Sequence, residues 1–227
     1  MWRLIFLALV SLIPALGWAW FFREQDAYEK EPLRLILLCF ALGMLAVLPA
    51  ILLEDPFRIS MDQGSVKIRL LLAFLVVGLG EEGLKLLAAY IAVYRREDFS
   101  EIVDGMVYSM AAALGFAAVE NLLYTITFGI QIAPARALIS SLAHGAFSGL
   151  AGYHLGLAKF RSKNPTYQVF VGLFSAAFLH GLYNSLLTFE LVSTAGIMVF
   201  LTAIYWLVFQ RFKRALALSP YHNRRSD

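Results

Sequence analysis

The sequence predicts an all-α, polytopic membrane protein, and three observations carry that prediction. Of its 227 residues 60% are apolar and 15% charged, against roughly 45–50% and 25% in soluble domains. Mean hydropathy is +0.70. The apolar residues gather into seven runs of about 20, the length that crosses a hydrocarbon core as a helix, at residues 2–22, 33–53, 70–94, 105–128, 137–158, 167–189 and 191–209.

Composition also narrows the function. A net charge of +3, scattered along the chain, gives no nucleic-acid surface. No glycine-rich phosphate loop is present; the glycines lie within apolar runs, where they let helices approach closely. The one cysteine, Cys39, excludes an intramolecular disulfide and a cysteine-based zinc site.

The first run begins like a leader peptide, with Arg3 ahead of an apolar core and Ala15-Leu16-Gly17 resembling a cleavage site. It continues through Trp18, Trp20, Phe21 and Phe22, aromatics suited to a membrane interface, so it reads as a retained helix. The second run is uninterrupted. Residues 54–69 form the longest connection, of mixed charge, with a turn-like Asp62-Gln63-Gly64-Ser65. The last two runs nearly touch, so six spans with a re-entrant end is the other count. The chain is one membrane domain over 1–227, with a short tail from 211 to 227.

Lysine and arginine distribution orients the bundle. Connections 23–34, 95–104 and 159–166 and the tail carry thirteen basic residues, Arg224 and Arg225 among them; Arg3, Arg58, Lys67, Arg69 and Arg136 make five on the other side. The N-terminus is therefore expected outside and the C-terminus in the cytoplasm.

Four runs carry polar groups at bilayer depth. The third holds Gly80-Glu81-Glu82-Gly83-Leu84-Lys85, and each such charge costs roughly 2.5–3.5 kcal/mol to insert. Pairing within the helix, Lys85 with Glu81 or Glu82, cancels one carboxylate of two. The fourth holds Phe116-x-x-x-Glu120-Asn121, the fifth His144-x-x-x-Ser148, and the sixth His180-Gly181-x-x-Asn184. A lone intramembrane histidine, or a lone Glu-Asn pair, is usually a packed, hydrogen-bonded residue, and Ser148 reads as a serine bonded to its own helix. Taken together, three glutamates and two histidines all need partners. Counted from the outer span ends, Glu81, Glu120, His144 and His180 lie about eleven, eight, seven and nine residues deep, one layer roughly 10–17 Å below the surface.

Such groups suit hydrolysis of an amide, which needs a base for water, an acid for the leaving amine and donors for the oxyanion. Glu81 and Glu82 supply base and acid, since two adjacent carboxylates in low dielectric favour sharing a proton. His180 and Asn184 are candidates for the oxyanion; Glu120 and His144 support the water. The same chemistry permits a divalent metal such as zinc, held by Glu82, Glu120, His144 and His180. A proton- or ion-coupled transporter using the carboxylates as a relay is the alternative; it calls for polar groups reaching both surfaces, and the inner halves of the spans look nearly bare.

At Glu81-Glu82-x-x-Lys85, Phe116-x-x-x-Glu120-Asn121, His144 and His180-Gly181-Leu182-Tyr183-Asn184, with Asp104-Gly105 and Glu29-Lys30-Glu31-Pro32, the chain resembles the PrsW family of membrane-embedded proteases. That family is distantly related to CAAX prenyl endopeptidases and bacteriocin-processing proteins; the EE-x-x-K form and Glu120 differ from the CAAX pattern. The resemblance implies site-1 cleavage of a single-pass, anti-sigma-factor-like membrane protein on its outer side in envelope-stress signalling. It maps the family's glutamate pair to Glu81 and Glu82 and its last histidine to His180.

Overall fold

A computed structural model describes residues 2–222, and every regular element among them is helical. Arg224 and Arg225, two of the basic residues used for orientation, lie outside the described residues. Helix α1 (Trp2–Glu24) buries Leu7, Ser11, Ala15, Ala19 and Phe22 along one face, the spacing of a single helical stripe. It packs in the bundle as a full helix. Helix α2 (Leu33–Glu54) follows.

The 54–69 connection differs from the expected loop. After a 3-10 turn at Asp55–Phe57 come short helices α3 (Arg58–Gln63) and α4 (Val66–Leu72). Only the turn at Gly64-Ser65 interrupts them. Backbone near lipid must satisfy its own hydrogen bonds, and helix does so locally. A π-helical segment, Ala73–Gly78, leads into α5 (Leu79–Val93).

Helix α6 (Ile102–Phe128) is the axis of the molecule: 94% of its apolar window is buried. A three-residue α7 (Ala133–Ala135) and a second π segment, Arg136–Ser140, precede α8 (Ser141–Phe160). Helices α9 (Pro165–Thr188) and α10 (Thr194–Ala217) are distinct. The Ser193 side chain caps α10 by accepting from the Gly196 amide, so the last two apolar runs form two separate helices. Helix α10 also runs on through Arg211–Lys213–Arg214, residues assigned to the tail by hydropathy.

Five of the seven long helices are apolar and long enough to cross a membrane: α1, α2, α6, α9 and α10. The other two, α5 and α8, are those that carry Glu81, Glu82, Lys85 and His144. Helices α8, α2 and α1 pack directly on α6, while α9 lies on α8 and α5. The α6–α8 contact is backbone to backbone: a Cβ on Gly105 would sit 2.4 Å from the Gly152 carbonyl oxygen. No larger residue fits there, which is the role small residues play between membrane helices.

Candidate active site

Both π segments end just before functional side chains, the first three residues ahead of Glu81 and the second four ahead of His144. A π turn shifts every following side chain around the helix, and such turns recur at functional sites. The first is packed against α9 through two glycines. A Cβ on Gly78 would meet the Ala177 carbonyl oxygen at 2.5 Å, and one on Gly181 would meet the Phe74 ring at 2.6 Å. That contact brings His180 beside the glutamate pair.

Lys85 is the hub. It is fully buried, and its ammonium contacts Glu81 Oε2 (2.9 Å), Glu82 Oε1 (2.9 Å) and His144 Nδ1 (2.8 Å), with the Phe116 ring centroid 4.3 Å away. An ammonium has three protons and no lone pair, so all three donors are used and His144 Nδ1 must accept. The His144 proton therefore sits on Nε2, 2.9 Å from Glu120 Oε2. Lys85 was expected to hold one glutamate of the pair; it holds both.

The two glutamates differ sharply in surroundings. Glu82 is fully buried and saturated: Oε1 faces Lys85 and His180 Nδ1 (2.9 Å), and Oε2 accepts from Ser148 Oγ (2.6 Å). A carboxylate only accepts, so the neutral His180 ring carries its proton on Nδ1 and leaves a lone pair on Nε2, 3.8 Å from Glu81 Oε2. Glu81, by contrast, lines a cavity of about 580 Å³ together with Glu54, Glu120, His144, Asn184, Arg69 and Arg136. That cavity is walled by the 54–69 connection and the ends of α6 and α9, the end of the bundle with fewer basic residues.

Glu81, Glu120, His144 and Asn184 thus share one cavity wall, while His180 and Glu82 stand directly behind Glu81. Glu81, Glu120, His144 and His180 come together at one level of the bundle. Two residues of the network escaped sequence reading. Ser148 bonds Glu82 rather than its own helix; its position four residues after His144, on the same face, was the available signal. Arg136, counted as a loop cation, pairs with Glu120 Oε1 (3.1 Å), donates to Asn121 Oδ1 (2.8 Å) and covers the Tyr124 ring. Nothing local marks it.

Donor atoms of Glu81, His144 and His180 lie within 4.8 Å of one another. Two imidazoles and a carboxylate suit zinc, and a carboxylate on the far nitrogen of His180 is the usual outer support of a ligating histidine. These residues fit a metal, in place of the Lys85–His144 contact. The set differs from the one drawn from sequence, because Glu82 is consumed by Lys85, Ser148 and His180, and Glu120 by Arg136 and His144.

Carboxylates, imidazoles and an amide converging on a cavity inside a membrane bundle define a membrane-embedded enzyme. The profile described as "PrsW family intramembrane metalloprotease" matches residues 31–209. The chain is 34% identical over 205 residues to a Protease PrsW of Geobacillus kaustophilus, covering 90% of each. It is 30% identical to one of Halalkalibacterium halodurans (92% of this chain, 96% of the relative) and 29% identical to one of Bacillus subtilis (93% and 97%). No solved structure gives a significant match. The chain belongs to the PrsW family, and it is a multi-pass membrane peptidase.

Proposed function

We propose that this peptidase makes the first, extracytoplasmic cut in a single-pass, anti-sigma-factor-like membrane protein. The observation that carries the reading is the cavity holding Glu81, Glu120, His144 and Asn184 at the end of the bundle opposite the basic connections. By the basic-residue bias that end faces outward, with the N-terminus outside and the C-terminus inside.

In this reading Glu81 is the general base. It is the glutamate of the pair that reaches the cavity, and Lys85 on Oε2 holds it in place. Water between Glu81 and the scissile carbonyl loses its proton to the carboxylate, which returns it to the leaving amine. Asn184 donates its side-chain amide to the carbonyl oxygen as charge develops there. His180, fixed by Glu82 through Nδ1, presents a lone pair beside Glu81 and accepts or relays a proton; as a neutral ring it does not donate to the oxyanion. Glu120 orients His144 and is itself held by Arg136. Where a divalent metal is bound, Glu81, His144 and His180 hold it, and it supplies positive charge for the carbonyl oxygen.

The transporter reading loses its support within α6. Between Glu120 and the acids at the other end of this helix, Met110, Ala111, Ala112, Ala113 and Leu114 are buried and apolar, leaving no polar path. The test is cleavage of a purified single-pass substrate by purified enzyme, with and without chelator. Glu81→Gln, Glu82→Gln and His180→Ala are each expected to abolish cleavage. Unimpaired cleavage by all three overturns the assignment, and the chelator arm, read with elemental analysis, decides metal dependence.

A further inference from the structure

A second buried polar cluster lies at the other end of the bundle, where the 25–32 connection meets the start of α6. Asp26, Glu31, Glu101 and Asp104 are 0%, 2%, 1% and 1% exposed. One oxygen each from Asp26, Glu101 and Asp104 lies within 4.8 Å of the others, and the Tyr108 hydroxyl donates to Glu31 Oε2. Asp26 Oδ1 accepts from the Tyr28 amide (3.0 Å). Asp104 Oδ2 accepts from the Ser100 and Glu101 amides (2.7 and 2.9 Å). These bonds leave Asp26 Oδ2 and both Glu101 carboxylate oxygens buried with no hydrogen-bond donor, and Asp104 Oδ1 with only the Glu31 carboxyl beside it.

Neighbouring cations do not neutralise the cluster. Arg23 gives Nε to the Glu31 carbonyl oxygen (2.6 Å) and a terminal nitrogen to Glu24 (2.7 Å). Lys159 gives its ammonium to the carbonyl oxygens of Phe99 (2.7 Å) and Arg96 (3.2 Å). Among the described residues no ion pair joins any of the four acids to a lysine or arginine. Burial, with the Asp104 charge adding to it, pushes Glu31 up to about 10. Burial, with the charges of Asp26 and Asp104 adding to it, lifts Glu101 to about 7, and burial raises Asp26. Buried carboxylates are normally paired or bound to a metal.

We infer that Asp26, Glu101 and Asp104 form a second site, which holds one hard divalent cation and fastens the 25–32 connection to the start of α6. The donors are all oxygen, the set that selects magnesium, calcium or manganese over zinc. Glu31 and Tyr108 close it from the side. The site is separate from the histidine-containing one and does not depend on the proposed reaction.

The experiment uses full-length protein in detergent, stripped with chelator, then titrated with magnesium, calcium or manganese chloride while thermal unfolding and binding heat are followed. Saturable binding of one ion, raising Tm by several degrees, is expected from at least one of the three. It should persist in the Glu81→Gln/His180→Ala double variant and vanish in Asp26→Asn and in Glu101→Gln. Glu101 is the N-cap of α6 and Asp104 stands three residues after it in the same cap, so Asp26→Asn is the cleanest of these variants and Asp104→Asn is secondary. The inference is overturned if none of the three ions binds, or if the shift survives both Asp26→Asn and Glu101→Gln. A chelated Asp26→Asn protein that is more stable than the parent, with no ion response in either, marks acids held by shared protons and overturns it equally.

Discussion

At the cavity end, Glu81, Glu82 and Glu120 face Lys85 and Arg136, and nearly every polar atom has a named partner. At the other end, Asp26, Glu31, Glu101 and Asp104 face no paired cation, and buried carboxylate oxygens of Asp26 and Glu101 have no donor. Both groups are buried in the same helical bundle around α6. The difference shows what makes a buried carboxylate usable for chemistry. Glu81 stands beside a cavity with a fixed counter-charge, Lys85, on one of its oxygens. Without one, the second cluster is sealed from water and depends on a proton or an ion from outside.

The comparison breaks most completely at Glu81. Glu81→Gln should lower kcat for a single-pass substrate by about 10²–10⁴-fold, the range general acid–base groups contribute, with little change in Tm. Lys85→Met should remove the distinction between the two ends, leaving buried carboxylates uncompensated as at Asp26. A loss of roughly 3–5 kcal/mol in unfolding free energy is expected, as for any buried pair that loses one partner, and chemical denaturation in detergent measures it. Ser148→Ala strips one donor from Glu82 and should cost about 1–3 kcal/mol. It should lower kcat while leaving KM unchanged, because Ser148 lies behind the cavity; unchanged activity with normal stability would remove it from the network.

The pH response sharpens the other end. Folded Glu31 keeps its proton to about pH 10, whereas the unfolded chain loses it near 4.5. Between those values the folded state binds more protons, so its stability falls as pH rises. In chelator, Tm should decline across that window, by at most the about 1.4 kcal/mol per pH unit of one proton. Glu31→Gln should flatten the decline, and a slope unchanged by that substitution would show that other groups carry it.

Much of the site was legible because intramembrane charge is expensive. Glu81, Glu82, Lys85, Glu120, His144, His180 and Asn184 stand out against apolar spans, and residue depth placed four of them in one layer before any contact was known. Ser148 and Arg136 did not stand out. A serine in a helix has its own backbone to bond, and an arginine at a span end has water. Glu31 and Asp104 were visible as motif residues, but nothing in the chain showed that they meet Asp26 and Glu101.

By itself the sequence determined the helical class and the seven helices, since hydropathy is a property of the chain alone. Only the tertiary structure decided which glutamate faces the cavity. Neighbours on one helix point about 100° apart, and their exposure depends on what α8 and α9 place against them. Ser148 and His180 saturate Glu82 from those helices, and Glu81 is left to line the cavity. The same dependence on partners drew the two ends apart: Lys85 and Arg136 reach one group of acids, while the cations near the other are spent on backbone carbonyls and Glu24.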